Sequence, residues 1–255
     1  MRHNLNVSTF LDRARSNRGG HVPSVPDLSP SELQTLRQIF DSQGKGEPSS
    51  PETGKADILK MLFARGLPVD LDPARQTFHP LDLKRLIDCG LLYEEHQGIK
   101  SHFQAQRYNG LIFLSDFFRW ESDPGFVLPI GPAGNYLALL TIRRPCESAL
   151  DLGCGCGIQS LLAARHCGHV IATDVNRRAL ALTRFNAELN EIHNIETRAG
   201  TSFEPVKGQR FDLVVANLPY VITPEKRLTY RTVERPGDAE MHERLKALVA
   251  RMRRQ

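Results

Sequence analysis

No apolar run in this sequence approaches the ~18 consecutive residues that a membrane-crossing helix needs. Met1-Arg2-His3-Asn4 leads into polar sequence rather than an apolar targeting core. That reading excludes a membrane span, and a soluble, cytoplasmic protein is expected. Cysteine is scarce: there are five, four of which (Cys146, Cys154, Cys156 and Cys167) crowd into 22 residues without C-x-x-C spacing. Neither a disulfide framework nor a zinc site is indicated, no metal is assigned, and reduced thiols are expected. Low complexity is also missing, since 40% hydrophobic and 24% charged residues with 19 Gly and 16 Pro in 255 are ordinary globular values. They exclude a chain disordered throughout and a collagenous one. Nor is there a broad excess of one charge. The net +4 is concentrated in residues 241–255, where five Lys/Arg face Glu243 alone, leaving 28 of each sign elsewhere. Cations at a helix end suit its dipole, so this tail does not by itself require nucleic acid.

What is present begins with a loose arm, residues 1–28, punctuated by Gly19-Gly20, Pro23 and Pro26. Ser29-Pro30-Ser31-Glu32 then reads as a helix start, with Leu33, Leu36 and Phe40 at helical spacing up to about Asp41. Residues 42–55 read as a loop. Helices follow at about Ala56 to Arg65, stopped by Gly66, and Leu81 to Cys89, stopped by Gly90. Strand-like runs at Leu91–Glu95, Ile99–Gln106 and Gly110–Ser115 complete a helical, winged-helix-like domain over 29–125. Such a module can place a helix in a DNA groove, and Lys84 and Arg85 lie on the candidate helix. Residues 1–110 nevertheless carry 14 Lys/Arg against 13 Asp/Glu, so DNA binding has little support. A packing or substrate-presenting role is expected.

Residues 126–255 follow a different syntax. Strands at about 147–152, 169–174, 194–198 and 211–216 alternate with helices at Gly157–Cys167 and from an Asn176 N-cap to about Asn190. This predicts an α/β fold with a doubly wound, mostly parallel sheet, in which ligands bind at the carboxyl ends of the strands. Three motifs fall at such ends. Asp151-Leu152-Gly153-Cys154-Gly155-Cys156-Gly157 leaves a strand and enters a helix, its glycines permitting a sharp turn and close approach of a nucleotide-like ligand. A dinucleotide fingerprint would need glycine where Ile158 stands. Asp174 ends the next strand, where a carboxylate can accept both hydroxyls of a ribose. Asn217-Leu218-Pro219-Tyr220 ends the last strand: the asparagine amide and the Leu218 carbonyl offer two acceptors for an NH₂ group, and an aromatic ring can stack on the planar group bearing it.

With those three motifs the region from about 126 to 235 resembles the Rossmann-like class of S-adenosylmethionine-dependent methyltransferases. It is most similar to the branch of the release-factor glutamine methyltransferases and small-domain ribosomal-RNA methyltransferases. Phe126 to Pro132 and Phe203-Glu204-Pro205 add to the likeness. The resemblance implies S-adenosylmethionine as cofactor, bound by Asp151, Gly153, Cys154, Gly155, Gly157, Asp174, Val175, Thr201, Ser202 and Asn217. Thr201 and Ser202 follow Gly200 where relatives carry an acid for the adenine amine, and Leu218 replaces the first proline of the usual N-P-P-Y.

The implied reaction is in-line methyl transfer to a planar nitrogen, a protein glutamine amide or a nucleic-acid base amine. Asn217, Leu218, Pro219 and Tyr220 form its catalytic element, and protein or RNA is the partner. Neither a covalent nucleophile nor a metal is needed, and Cys154 and Cys156 read as small side chains in a tight loop. The alternatives are a nicotinamide-dependent oxidoreductase, which leaves 217–220 unexplained, and a cofactor-binding regulatory module without turnover. Residues 221–255 offer a loop and one helix, about Asp238 to Arg253, but no further strand. The sheet is therefore expected to be C-terminally incomplete, the chain truncated, and strand 211–216 an exposed edge open to self-association.

Overall fold

The computed structural model describes residues 23–42, 52–96, 98–118, 123–217 and 246. Helix α1 (Pro30–Asp41) opens on a capping box, Glu32 N–H donating to Ser29 Oγ at 3.4 Å and Ser29 N–H to Glu32 Oε2 at 2.7 Å. Helix α2 (Glu52–Leu59) starts within residues read from sequence as loop and runs into a π-helical turn, Lys60–Arg65, that stops at Gly66. Then come β1 (Val69–Asp70), α3 (Leu71–Phe78), α4 (Leu83–Asp88), β2 (Leu92–Glu95) and β3 (Gly98–Ser101). The antiparallel sheet has order β1-β3-β2, and helix, strand, two helices and two strands follow one another along the chain. Lys84 and Arg85, the cations of the candidate groove-reading helix, are each paired with an acid: Lys84 with Asp88 at 2.6 Å, Arg85 with Glu32 at 2.8 Å.

The run 99–106, read from sequence as one strand, is divided. Ser101 Oγ donates to the Phe103 carbonyl at 2.8 Å and accepts the Phe103 N–H at 3.1 Å, closing a bend around His102. Beyond it β4 (Phe103–Tyr108) turns through Asn109 and Gly110 into β5 (Leu111–Asp116), a separate hairpin.

After α5 (Pro132–Leu140) the chain alternates β6 (Cys146–Leu152), α6 (Ile158–Ala164), β7 (Cys167–Asp174), α7 (Arg177–Leu189), β8 (Ile195–Ala199), a 3₁₀ turn (Glu204–Val206) and β9 (Leu213–Ala216). The four strands form a parallel sheet in the order β8-β7-β6-β9. Central strands covered on both faces need continuous apolar runs, and Ala149, Leu150, Leu152, Val170, Ile171 and Ala172 are all buried. The strand order reverses between β6 and β9, and in open α/β sheets ligands bind beyond the carboxyl ends of the strands at such a switch point.

The N-terminal elements and this sheet share one core. Leu182, Phe185 and Leu189 of α7 pack in the same apolar cluster as Leu36, Phe63, Phe78, Ile112 and Leu114. Two buried asparagines, Asn186 on α7 and Asn190 at its C-cap, also complete the β5 edge. Asn186 accepts the Leu114 N–H at 2.8 Å and donates to its carbonyl at 2.9 Å; Asn190 does the same for Ile112 at 2.9 and 2.7 Å. Each side-chain amide takes the place of a neighbouring strand for one residue.

One sequence expectation is overturned. Cys146 and Cys167 are not free thiols but a disulfide, because the parallel pairing of β6 with β7 sets them directly opposite one another. Cys89, Cys154 and Cys156 are free and buried. Among the described residues no helix is long and apolar enough to cross a membrane. The arm 1–22, the tetrapeptide residues Leu218, Pro219 and Tyr220, and all of 221–255 except Lys246 lie outside the described residues; the expectations of truncation and of an open edge at β9 turn on them.

Candidate active site

The loop after β6 is shaped from below. Gly153 and Cys154 both donate their N–H to the Thr173 carbonyl, at 2.8 and 3.0 Å, and Gly157 N–H reaches the Cys154 carbonyl at 2.8 Å. Cys154 and Cys156 are thereby turned inward, and burial pushes both thiols up, Cys156 to about 12. Gly155 remains on the outer face at φ +55°, and a Cβ there would meet nothing within 4 Å among the described residues. Gly157 differs in what it permits. At φ +84° it opens α6, and a Cβ would lie 2.9 Å from Thr183 Cγ2 on α7. The first glycine faces open space among the described residues, while the second lets two helices approach.

Asp151 lies beneath the loop rather than facing the crevice. It is 2% exposed, and Ser160 Oγ donates to its carboxylate at 2.5 Å, tying β6 to α6. Burial lifts its pKa to about 6 against the pull of the Ser160 hydrogen bonds. The sequence motif therefore contains both lining residues (Gly153, Gly155) and supports (Asp151, Cys154, Gly157).

Asp174 closes the loop from the β7 side. Its Oδ2 accepts the Gly155 N–H at 3.0 Å and its Oδ1 the Asn176 N–H at 2.9 Å. Burial raises its pKa, opposed by the backbone N–H donors of Asn176, Gly155 and Val175. Val175 is 56% exposed, an apolar surface beside the acid on which a base can lie. Thr201 and Ser202, both exposed, leave the end of β8 after Gly200, whose N–H is held by the Asp174 carbonyl at 3.1 Å.

Across the switch point, Asn217 is exposed at the end of β9. A Cβ on Gly134 would lie 3.9 Å from Asn217 Nδ2 and 4.0 Å from Ile158 Cγ2, so the starts of α5 and α6 and the end of β9 converge. Gln159 Nε2 fixes this junction by donating to the Gly134 carbonyl at 2.8 Å.

Residues missed in the sequence hold the segment leading into α5. Asp116, at the end of β5, accepts the Val127 N–H at 2.7 Å and a bidentate pair from Arg178 at 2.6 and 2.7 Å. Gln106 exchanges two hydrogen bonds with the Ile130 backbone, at 2.8 and 3.1 Å. Asp116 and Arg178 stand 62 positions apart, and no local pattern announces the pair.

A family model described as "Methyltransferase small domain" matches residues 133–235. The release factor glutamine methyltransferase of Geobacter sulfurreducens is 35% identical over 207 residues, covering 76% of this chain and 68% of that protein. The chain belongs to the small-domain methyltransferases, in the branch of the release factor glutamine methyltransferases. Shorter matches concentrate on the same region. The release factor glutamine methyltransferase of Aliivibrio fischeri is 40% identical over 88 residues, 33% of this chain and 31% of that protein, so the chain spans about a third of that relative's length. The ribosomal protein L11 methyltransferase of Lactobacillus johnsonii is 34% identical over 151 residues, 56% of this chain and 42% of that protein. In this methyltransferase family member Gly155, the acid Asp174 and the asparagine after β9 come from three strand ends of one sheet.

Proposed function

We propose that this protein binds S-adenosylmethionine in the crevice beyond β6, β7 and β9 and methylates the side-chain amide nitrogen of a glutamine in a protein substrate in the cytoplasm. The observation that carries the proposal is the placement of Asn217 across the switch point from the glycine loop, beside the start of α5. The residues fit the cofactor: Gly153 and Gly155 leave the main chain approachable, Asp174 offers carboxylate lone pairs to a ribose, and Val175 offers a flat apolar contact. The bound cofactor supplies a methyl group on a sulfonium already activated for displacement.

The chain's own residues then have to position the acceptor, and positioning can contribute up to ~7–11 kcal/mol. Asn217 and the Leu218 carbonyl accept the two amide hydrogens, aim the nitrogen lone pair and stabilise the charge that grows on it, and Pro219 belongs to the same element. Tyr220 stacks on the planar amide. Residues 29–125 present the protein acceptor, a role supported by the shared core and by the Gln106 latch on Ile130. A nicotinamide reaction is disfavoured by Ile158 in place of glycine and by the unused 217–220 element.

The test is incubation with methyl-labelled cofactor and a cell lysate, followed by partition of the label and mass-spectrometric mapping. Label on a protein glutamine is the expected result. Label in RNA would reassign the acceptor to a base amine, and no transfer to any fraction would overturn the activity.

A further inference from the structure

We infer that Cys146, Cys167 and His166 form a thiol–disulfide exchange site for low-molecular-weight disulfides, at the end of the sheet opposite the crevice. The inference does not depend on the methyl-transfer reading. Cys146 begins β6 and Cys167 begins β7; they are register partners with Cα atoms 4.6 Å apart, within the separation a disulfide spans, and they are bonded. The crevice residues leave the far ends of the same two strands, after Leu152 and Asp174.

Access and surroundings divide the roles. Cys146 is half-buried and follows the exposed stretch 143–145, whereas Cys167 is buried. His166 Nδ1 lies 3.4 Å from Cys167 Sγ and 3.0 Å from the Arg144 carbonyl oxygen, while its Nε2 is buried without a hydrogen-bond partner among the described residues. A carbonyl oxygen only accepts, so the contact with Arg144 requires a proton on His166 Nδ1. That N–H, shared between the carbonyl and the sulfur, is a donor for a Cys167 thiolate once the bond is reduced. The other three cysteines are buried within the protein.

The chemistry balances as two exchanges. In the reduced protein the Cys146 thiolate attacks a sulfur of the small disulfide, forming a mixed disulfide and releasing one small thiolate, which takes up the proton that Cys146 lost. Cys167 then surrenders its proton to solvent and its thiolate attacks Cys146 Sγ. The protein disulfide forms and the second small thiolate leaves, to be protonated in turn. Two protein thiols are oxidised and one small disulfide is reduced to two thiols.

The same three side chains place one ligand atom each within 4.8 Å of one another, a set that in the reduced state also suits a soft divalent cation. The experiment separates the two. The full chain is reduced, freed of metal with a chelator, equilibrated with mixtures of reduced and oxidised glutathione, quenched in acid, alkylated and mapped by mass spectrometry. Reversible loss of two thiols confined to Cys146 and Cys167 is expected, with Cys89, Cys154 and Cys156 alkylated throughout. Cys167→Ser should trap a glutathione adduct on Cys146, and Cys146→Ser should leave Cys167 unmodified. His166→Ala should slow closure of the mixed disulfide about tenfold or more. Five free thiols at every glutathione ratio, adducts spread over all cysteines, or one-to-one Zn²⁺ binding that keeps the pair reduced in oxidised glutathione would each overturn the inference.

Discussion

Asp174 Oδ2 accepts the Gly155 backbone N–H at 3.0 Å, so the acid ending β7 holds the middle of the loop that follows β6. Each carboxylate oxygen uses only part of its acceptor capacity on the backbone. The side chain that shapes the loop is thus the one proposed to receive the ribose.

Asp174→Ala is expected to weaken S-adenosylmethionine binding by at least about 1–2 kcal/mol, roughly five- to thirtyfold in Kd, because it removes both a loop anchor and a charge-assisted acceptor. Asp174→Asn keeps one acceptor oxygen and should lose less. Calorimetry on folded variants checks the order; unchanged affinity in the alanine variant would place the ribose elsewhere.

The two loop glycines should fail in different ways. Gly155→Val points a branched side chain into open space at φ +55°, so the fold should survive a strain cost of about 1–2 kcal/mol while cofactor binding is lost. Gly157→Ala drives a Cβ to 2.9 Å from Thr183 Cγ2 and 3.0 Å from Leu161 Cδ1, and its damage should be to Tm first. Thermal melts paired with binding isotherms distinguish the two, and the reverse assignment would mean that the loop faces the other way.

Asp151 carries a pH signature. Burial raises its folded pKa from 3.8 to about 6, so the folded state binds more protons than the unfolded chain between those values, and stability falls as pH rises through that window. Above it the cost is constant and on the order of 3 kcal/mol. Asp151→Asn should flatten the stability profile between about pH 4 and pH 7, measured by denaturant melts across that range. An equally steep profile in the variant would assign the dependence to another group.

The strands and motifs of residues 147–217 were legible because central parallel strands must be apolar and strand-end turns must use glycine, acid or amide. The Ser29–Glu32 capping box was legible for the same local reason. Residues 69–78 were not: a two-residue strand and an eight-residue helix leave too short a period. The disulfide and the Asp116–Arg178 pair were hidden because each joins residues brought together only by register or by packing of distant elements. Motif membership also failed to separate lining from support, which is why Asp151 and Gly155, four positions apart, have opposite surroundings.

The central claim is that Asn217 acts on charge developing in the transition state. Its most direct test compares Asn217→Ala with the unmodified chain, measuring cofactor affinity and single-turnover methyl transfer to a glutamine acceptor at saturating S-adenosylmethionine. Near-normal affinity with a rate lowered ~10²-fold or more is expected. Collapsed affinity with an unchanged saturated rate would contradict it and return Asn217 to the cofactor-binding set.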